Sequence, residues 1–314
     1  MQRLTLAGGV PDHLKGAIVA LGNFDGFHLG HQAVIGRAIA RGFHERRPVI
    51  VATFDPHPVK FFKPDVPPFR LTTLDQREHL FAHAGADAML VFQFDQALAT
   101  TTAEDFVGEI LAKQIGAMGV VTGDDFTFGR GRKGNVAMLR ELGEQHGIVA
   151  EAVAPVLLGG ERISSGRIRE ALEAGDTATA TKLLSRDYAI EGVVQRGDAR
   201  GRELGYPTAN LELGDYQRPK YGIYAVRVTL DANGPNGGSE RPGVASLGVR
   251  PTFAPPQELL EAHLFGFDED LYGRKIEVAL HAFIREERKF GDVADLVAQM
   301  KDDEAQARKL LAIE

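Results

Sequence analysis

Two histidines, His28 and His31, close the segment 22–31, which reads Gly-Asn-Phe-Asp-Gly-Phe-His-Leu-Gly-His. The apolar run 17–21 before this segment is typical of a buried strand, and the residues from Gly30 onward have helical spacing. At a helix start the first backbone N–H groups have no partner within the helix and the helix dipole is positive, so an anion is stabilised there. The segment therefore predicts a phosphate site beside two imidazoles.

Two other roles remain open for this histidine pair. Histidines in an H-x-x-H pattern can share a zinc ion, but the helical zinc-protease pattern needs a wider spacing and a glutamate, and the segment has neither. Packing or helix capping is the second alternative. The repeated glycines favour the phosphate site, because they let the backbone approach a ligand closely.

Polar clusters follow two further apolar runs. Residues 53–58, Thr-Phe-Asp-Pro-His-Pro, come directly after one run, which predicts a position at the carboxyl edge of a sheet, where open α/β folds bind ligands. Residues 123–134 contain Gly-x-Gly-x-x-Gly, but these glycines lie too far beyond the preceding strand for a dinucleotide fingerprint. A basic loop over phosphates and a merely solvated loop fit this second segment equally well.

A third cluster, residues 162–169, reads Arg-Ile-Ser-Ser-Gly-Arg-Ile-Arg and lies at a predicted helix start. The serines suit helix capping. Hydroxyls and arginines at a positive helix end also suit a triphosphate clamp, because arginine donates two bonds at once to phosphate oxygens.

The elements that carry these clusters alternate between strand and helix in the first half of the chain. Predicted strands cover 17–21, 48–53, 88–94, 118–122 and 148–158, and predicted helices cover 74–84, 103–115, 135–145, 165–174 and 178–184. The alternation indicates a mostly parallel sheet covered by helices.

From residue 188 the pattern changes to short β-rich segments separated by glycine and proline. They cover 190–194, 221–230, 243–249, 259–267 and 275–284, and an amphipathic helix is predicted at about 293–311. Residues 231–238 are expected to form a hairpin loop. This half predicts an antiparallel barrel or sandwich with a helix packed on it.

Composition limits the classes of function. The length of 314 residues indicates about two domains, and 44% hydrophobic with 25% charged residues is ordinary for a globular protein. A net charge of -7 argues against a nucleic-acid partner. The absence of cysteine fits a cytoplasmic enzyme, and no apolar run reaches the roughly 18 residues that span a membrane. Small-molecule partners, without nucleic acid or membrane, are therefore expected.

Sequence blocks in both halves resemble the bacterial bifunctional riboflavin kinase/FAD synthetases. The first half carries Gly-Asn-Phe-Asp-Gly-x-His-x-Gly-His, Thr-Phe-Asp-Pro-His-Pro, Gly-x-Asp-Phe-x-Phe-Gly and Ile-Ser-Ser-x-x-Ile-Arg, in this order. The second half carries Gly-Arg-Glu-Leu-Gly-Tyr-Pro-Thr-Ala-Asn-Leu, Tyr-Gly-Ile-Tyr-Ala, Gly-Val-Arg-Pro-Thr-Phe, Glu-Ala-His-Leu-Phe and Ile-Arg-Glu-Glu-Arg-Lys-Phe. The resemblance covers nearly the whole chain.

This resemblance implies an α/β domain followed by a β domain. The expected units are a Rossmann-like FMN adenylyltransferase domain with a parallel sheet over 1–185 and an antiparallel β-barrel riboflavin kinase domain with a terminal helix over 186–314. The implied multifunctional transferase phosphorylates riboflavin to FMN and then adenylylates FMN to FAD, with Mg²⁺ as cofactor and ATP as co-substrate. The oligomeric state is left open, and a homo-oligomer is among the states considered.

The resemblance also implies roles for individual residues. Glu261 matches the catalytic base of the kinase, and Thr208 and Asn210 match its metal ligands. His28 and His31 match the catalytic donors of adenylyl transfer. The implied nucleotide-binding residues are Gly22, Phe24, Asp25, Gly30, Arg162, Ser164, Ser165, Arg169, Gly197, Gly201 and Gly205. The implied flavin-binding residues are Asp55, His57, Asp124, Asp125, Arg285 and Phe290.

Two positions depart from the family pattern. Gly166 stands where a hydroxyl residue is usual, and Phe27 replaces a smaller aliphatic residue. Three other functions remain as alternatives: a riboflavin kinase alone, a flavin-sensing regulatory protein without turnover, and a tRNA-handling nucleotidyl-type protein. The acidic balance disfavours the last, and Glu261 with Thr208 and Asn210 disfavours the sensor.

Overall fold

The computed structural model describes residues 1–196, 204–231, 238–250 and 257–313, which form two compact units. The first unit comprises Met1–Pro67 and Leu74–Ser164, and the second comprises Pro68–Thr73 and Ser165–Glu314. The units thus divide before the predicted boundary at residue 185. That boundary between catalytic domains stays a prediction.

The first unit is built on a six-stranded parallel sheet in the order β1-β4-β3-β2-β5-β6. Its strands are β1 (Gln2–Thr5), β2 (Ile18–Leu21), β3 (Val49–Asp55), β4 (Ala88–Gln93), β5 (Gly119–Gly123) and β6 (Val149–Val153), with a small antiparallel pair, β7 (Leu157–Leu158) and β8 (Glu161–Arg162). Its helices are α1 (Leu29–Glu45), α2 (Pro58–Phe62), α3 (Leu74–Ala84), α4 (Gln96–Thr100), α5 (Ala103–Asp105), a π-helix (Phe106–Ile115), α6 (Val136–Gln145) and the 3-10 turns Asp12–Leu14 and Arg130–Arg132.

The central strands of this sheet are buried on both faces, which confirms the predicted parallel sheet. All four residues of β2 are buried, as expected for a strand covered by helices on both sides. The chain builds β3 and β4 on one side of β2 and then places β5 on the other side. Such a reversal of strand order opens a crevice at the carboxyl ends of β2 and β5, the usual ligand position in open α/β sheets.

Three elements of the first unit differ from the sequence expectations. The predicted strand 148–158 is divided into β6 and β7, with Pro155 between them, because proline cannot donate to a strand ladder. The predicted helix 103–115 consists of α5 followed by a π-helix over Phe106–Ile115. The spacing of apolar residues predicts a helix here but does not distinguish an α-helix from a π-helix. The sequence pattern does not predict strand β1, because Leu4 is the only apolar residue among its four residues.

The second unit contains a six-stranded antiparallel sheet in the order β10-β13-β12-β11-β14-β9. Its strands are β9 (Tyr188–Val193), β10 (Ala209–Glu212), β11 (Gly222–Leu230), β12 (Ser239–Arg250), β13 (Gln257–Leu264) and β14 (Lys275–Arg285), and its helices are α7 (Ser165–Ala174), α8 (Thr177–Leu184) and α9 (Val293–Leu310). The Gln195 N–H donates to the Asn210 carbonyl at 2.9 Å and brings the two edges of the sheet together. The sheet is therefore a nearly closed barrel, which confirms the predicted barrel.

Helices α7 and α8 belong to this second unit, although their sequence position suggested that they complete the first half. The Lys220 N–H donates to the Leu172 carbonyl of α7 at 2.8 Å, and Gln217 Nε2 donates to Glu173 Oε1 at 2.8 Å. These bonds attach α7 to the segment that leads into β11.

Helix α9 packs on the outer face of the barrel, as predicted. Ala307 of this helix and Leu311, which directly follows it, pack against Ala225 and Phe265. Residues 232–237 of the predicted hairpin loop lie outside the described residues. Within the described part of the chain, the helices are too short or too polar for any of them to cross a membrane.

Candidate active sites

The loop that follows β2 has an unusual backbone anchored by two buried rings. Phe24 and Phe27 have positive φ angles of 49° and 44°, which are uncommon for residues other than glycine. Both rings are buried and make edge contacts with Phe81 of α3, at centroid distances of 5.9 and 5.4 Å. The larger side chain at position 27 therefore packs into the core and helps to anchor the loop.

His28 and His31 lie together at the start of α1. His28 is the N-cap, and its Nδ1 accepts from the His31 backbone N–H at 3.2 Å. The two imidazoles stack with centroids 3.6 Å apart, and the Phe24 ring lies edge-on to His31 at 5.4 Å. A Cβ atom on Gly30 would lie only 3.1 Å from His28 Cε1, so a larger residue at position 30 would push the His28 ring by a few tenths of an ångström.

The loops after β3 and β5 open at the same edge of the sheet, because β2, β3 and β5 are parallel neighbours. Asp55 ends β3, and His57 caps α2 by accepting from the Val59 N–H at 3.1 Å. Asp124 and Asp125 follow β5.

Both of these aspartates pair with the Arg162 guanidinium, with N to O distances of 3.2 and 2.9 Å. The structure thus brings one predicted nucleotide-binding residue into contact with two predicted flavin-binding residues.

The two compact units divide the predicted triphosphate clamp between them. Arg162 and Ser164 lie in the first unit, whereas Ser165 and Arg169 lie in the second, at α7. Arg169 Nε donates to the Phe69 carbonyl at 2.7 Å, and its guanidinium lies 5.1 Å from the centre of the Phe69 ring. A role in binding nucleotide remains a prediction for Ser165 and Arg169.

In the second unit, the predicted kinase residues form one row across the barrel. Asn210 of β10 pairs with Glu261 of β13, and Glu261 pairs with Ser246 of β12. Directly opposite residues of antiparallel strands lie on the same face, with Cβ atoms about 5 Å apart. Leu260 and Ala262, which flank Glu261, are fully buried, so the row lies on the outer face of the barrel.

This row continues to the predicted flavin-binding residue Arg285. Ser246 pairs with Ile223 of β11, and Ile223 pairs with Arg285 of β14. Ser246 Oγ also donates to Glu287 Oε1 at 3.0 Å. No motif in the sequence predicts this contact, because Ser246 lies opposite Glu261 only through strand register and Glu287 is reached through Ser246.

Helix α9 holds Arg285 at the end of the row. Arg285 donates from Nε and Nη2 to the two carboxylate oxygens of the buried Asp303, at 2.8 and 2.6 Å. Gln299 Nε2 donates to the same carboxylate at 2.8 Å. Arg285 and Arg288 lie 6.0 and 4.9 Å from the centre of the Phe290 ring, so both predicted flavin-binding residues of this segment are close together.

The segment before β10 carries the remaining predicted residues of this site. Thr208 is half-buried, and the preceding Pro207 carbonyl lies 2.9 Å from His263 Nδ1. Partial burial, reinforced by the neighbouring Glu304 carboxylate, raises the pKa of Tyr206. Gly205 has a positive φ of 83°, whereas Gly197 and Gly201 lie outside the described residues.

Asn210 offers an oxygen ligand for a metal ion. The residue is 6% exposed, and its Oδ1 is buried without a hydrogen-bond partner among the described residues. Carboxamide and hydroxyl oxygens are hard donors of the kind that Mg²⁺ takes. Across 1–196, 204–231, 238–250 and 257–313, the structure holds no cluster of three or more histidine, cysteine or acidic side chains suited to a metal.

Comparison with known proteins assigns each unit to a family. Residues 10–167 match the family described as FAD synthetase, and residues 184–311 match the family described as riboflavin kinase. The chain is 38% identical to the bifunctional riboflavin kinase/FMN adenylyltransferase of Escherichia coli (strain K12), over 95% of this chain and 94% of that protein. The chain belongs to the bifunctional riboflavin kinase/FMN adenylyltransferase family.

Other similar proteins extend over both units in the same way. The family member of Pseudomonas fluorescens is 39% identical over 96% of this chain and 95% of its own length. A crystal structure described as a macrolide-efflux protein from Streptococcus pneumoniae is 30% identical, with a TM-score of 0.85 over 98% of this chain and 99% of that one. These matches confirm the predicted family and the predicted enzyme class. Riboflavin, FMN, FAD and ATP are the substrates and products of this family's reactions, so ATP as co-substrate is confirmed as well.

Proposed function

We propose that the second unit phosphorylates riboflavin to FMN and that the first unit adenylylates FMN to FAD, with ATP consumed in both steps. One observation carries this proposal. Each family match coincides with one assembled set of polar side chains, the histidine pair in residues 10–167 and the Asn210–Glu261–Ser246 row in residues 184–311.

The adenylyl step requires donors rather than a strong base, because the phosphate of FMN is already ionised at neutral pH. A phosphate oxygen of FMN attacks the α-phosphorus of ATP, and the bond from that phosphorus to the pyrophosphate oxygen breaks. Negative charge grows on both sides, so donors placed there supply most of the rate enhancement. His28 and His31 at the positive end of α1 are the proposed donors.

The hydrogen bond of His28 determines which of its ring nitrogens can donate. Because Nδ1 accepts from the His31 N–H, the neutral ring carries its proton on Nε2. Nε2–H is therefore the proposed donor to the α-phosphate. Supporting contacts to nucleotide from Gly22, Phe24, Asp25, Gly30 and Ser164, and contacts to flavin from Asp55, His57, Asp124 and Asp125, belong to the same proposal.

The kinase step needs a base, because the ribityl hydroxyl of riboflavin is a poor nucleophile. Glu261 is proposed to take the hydroxyl proton while the hydroxyl oxygen attacks the γ-phosphorus of ATP and ADP leaves. Asn210 Oδ1 and the Thr208 hydroxyl would hold Mg²⁺, which neutralises phosphate charge when it is bound. Arg285 and Phe290 are proposed to form part of the flavin pocket.

The composition of the chain bears on its cellular compartment and on its partners. We place the enzyme in the cytoplasm with small-molecule partners only, since the chain contains no cysteine and carries a net charge of -7. A homo-oligomer stays a prediction that light scattering of the purified chain tests.

One assay tests the bifunctional assignment. The purified chain is incubated with riboflavin, ATP and MgCl₂, and the flavins are separated by chromatography over time. We expect FMN first and FAD later. Arrest at FMN would indicate a kinase alone, and no turnover would indicate a flavin sensor.

A further inference from the structure

A buried guanidinium lies beneath the histidine loop. Arg77 of α3 is 1% exposed and is among the largest fully buried side chains of the described residues. Burying a charged group is unfavourable unless hydrogen bonds and an opposite charge compensate for the lost water. The contacts of Arg77 therefore indicate what its burial achieves.

These contacts converge on the loop between β2 and α1. Arg77 Nη1 donates to the Asn23 carbonyl at 3.3 Å and to Thr53 Oγ1 at 3.0 Å. Thr53 Oγ1 in turn donates to the same Asn23 carbonyl at 2.8 Å. Arg77 Nη2 lies 3.9 Å from Oδ1 of Asp25, whose side chain is 3% exposed. The guanidinium thus reaches the residue before Phe24 and the residue after it.

Phe24 is the first of the two residues that hold this loop in an unfavourable backbone conformation, with a φ of 49°. Such a conformation persists only when the surrounding structure imposes it. The hydrogen bond to Asn23 and the ion pair with Asp25 do this from both sides of Phe24, and the Phe24 ring makes the edge contact with His31. A chain of contacts therefore leads from Arg77 to the stacked histidines.

We propose that Arg77 is a positioning residue for adenylyl transfer, which holds the 23–25 backbone so that His28 and His31 keep their stacked geometry at the start of α1. Arg77 does not touch the reacting phosphates in this scheme. Its effect is geometric, because displacement of a catalytic group by about 1 Å costs on the order of 100-fold in rate. The inference rests on the proposed adenylyltransferase activity of the first unit.

The main test replaces Arg77 by Met, which removes the charge and the hydrogen bonds but keeps an apolar stem. We expect the kcat of FMN adenylylation to fall by about 100-fold, with a much smaller change in the KM for ATP. Arg77→Lys keeps the positive charge but loses the planar set of guanidinium N–H donors. The kcat of this variant should therefore lie between those of wild type and Arg77→Met. Kinase activity of the same polypeptide reports whether the second unit is folded and should not change, and thermal melting reports whether the first unit is folded.

A milder variant covers the case in which Arg77→Met unfolds the first unit. Thr53→Val removes one hydroxyl that both Arg77 and the Asn23 carbonyl use, with little change of shape, and should lower the adenylylation kcat by about 10-fold. Arg3→Met is the matched control, because Arg3 also pairs with α3, at Asp75 and Glu78, but lies away from the loop. Adenylylation should be unaffected in this control.

A spectroscopic measurement separates positioning from mere stability. The ring ¹⁵N shifts of His28 report its tautomer, and Thr53→Val should move them even at temperatures where the protein is fully folded. Folded variants with wild-type adenylylation kcat and unmoved His28 shifts would overturn the proposal. Failure of the proposed function is distinct from this result, because the wild-type chain itself would then make no FAD.

Discussion

The imidazoles of His28 and His31 stack with their centroids 3.6 Å apart and their planes 16° from parallel. Adjacent turns of α1 alone do not produce this contact, because His28 precedes the helix as its cap. The bond from the His31 N–H to His28 Nδ1 supports the stack, and the missing Cβ of Gly30 leaves it uncrowded. Both conditions can be removed singly by mutation.

His28→Ala should abolish FAD formation and leave FMN formation intact. The substitution removes both the helix cap and the proposed Nε2–H donor, and loss of one such donor typically costs about 100-fold to 1,000-fold in kcat. Chromatography after separate incubations with riboflavin and with FMN measures the two steps. Equal loss of both activities in a folded protein would contradict the separation of the two sites.

Gly30→Ala and Gly36→Ala form a matched pair within α1. The new methyl at position 30 would lie 3.1 Å from His28 Cε1, whereas nothing lies within 4 Å of a methyl at position 36. We expect Gly30→Ala to lower the kcat of adenylylation, and Gly36→Ala to keep activity and to stabilise the fold by about 1 kcal/mol. Steady-state kinetics and thermal melting check both; equal kinetics for the two variants would refute the steric argument.

Glu261→Gln should lower riboflavin phosphorylation by about 100-fold or more, because the amide cannot accept the ribityl proton. Adenylylation of supplied FMN should not change. Glu240→Gln serves as the control, since Glu240 is an exposed residue of β12 that pairs with Arg227. A Glu261→Gln variant with wild-type kinase turnover would remove Glu261 from the role of base.

Gly166→Ser introduces the hydroxyl that the family resemblance implies at this position. Gly166 is exposed in the first turn of α7, and serine is favoured over glycine in a helix by about 0.5 kcal/mol. We expect FAD synthesis equal to or better than that of wild type, measured as the initial rate with FMN and ATP. A large loss would mean that the glycine is needed for its backbone geometry.

Stability should depend on Glu258 in a pH-dependent way. Hydrogen bonds from Arg218 Nε and Nη2, at 2.9 and 2.7 Å, hold the pKa of Glu258 below its usual value of 4.5. A lowered folded-state pKa adds stability above the unfolded value, and this stability is lost as the pH falls through the folded value.

Glu258→Gln should therefore lower the melting temperature at neutral pH. Because Glu258 is partly exposed, solvent screening limits the effect to about 1 kcal/mol, or roughly 2–4 °C. The difference from wild type should shrink as the pH falls below 4.5, the usual pKa of this carboxyl group. Thermal melts across this range measure it, and a difference that is constant with pH would argue against the Arg218 pairing as its source.

Sequence patterns predicted the parts of the fold that depend on local composition. The apolar runs of β2 and β3 are buried on both faces, and such runs indicate a parallel sheet without further information. The histidine pair and the motif around Asn210 carry chemistry in their residue types. The buried parallel strands and the two chemical motifs can therefore be predicted from one sequence without an alignment.

Other parts depend on contacts between distant segments. Ser246 lies opposite Glu261 through the register of β12 and β13. Arg77 of α3 donates to the carbonyl of Asn23, which lies in the distant loop between β2 and α1. Neither Ser246 nor Arg77 belongs to a sequence motif. Arginine in an amphipathic helix normally indicates an exposed face, so the burial of Arg77 is not predicted from the sequence. The sequence does not predict strand β10 either, because it is only four residues long and includes Asn210, whose residue type indicates site chemistry.

Strand β1 has a consequence for the edge of the parallel sheet in the first unit. It pairs with β4 from Gln2 opposite Ala88 to Thr5 opposite Val91, and β4 is an almost wholly apolar strand. Without β1, that apolar edge would offer its open N–H and C=O groups to a strand from another molecule. Three of the four residues of β1 are exposed, and its Arg3 is held by Asp75 and Glu78. The sheet therefore ends in a short and mostly exposed strand that carries a charged side chain, an edge of the kind that disfavours pairing with a strand of another molecule.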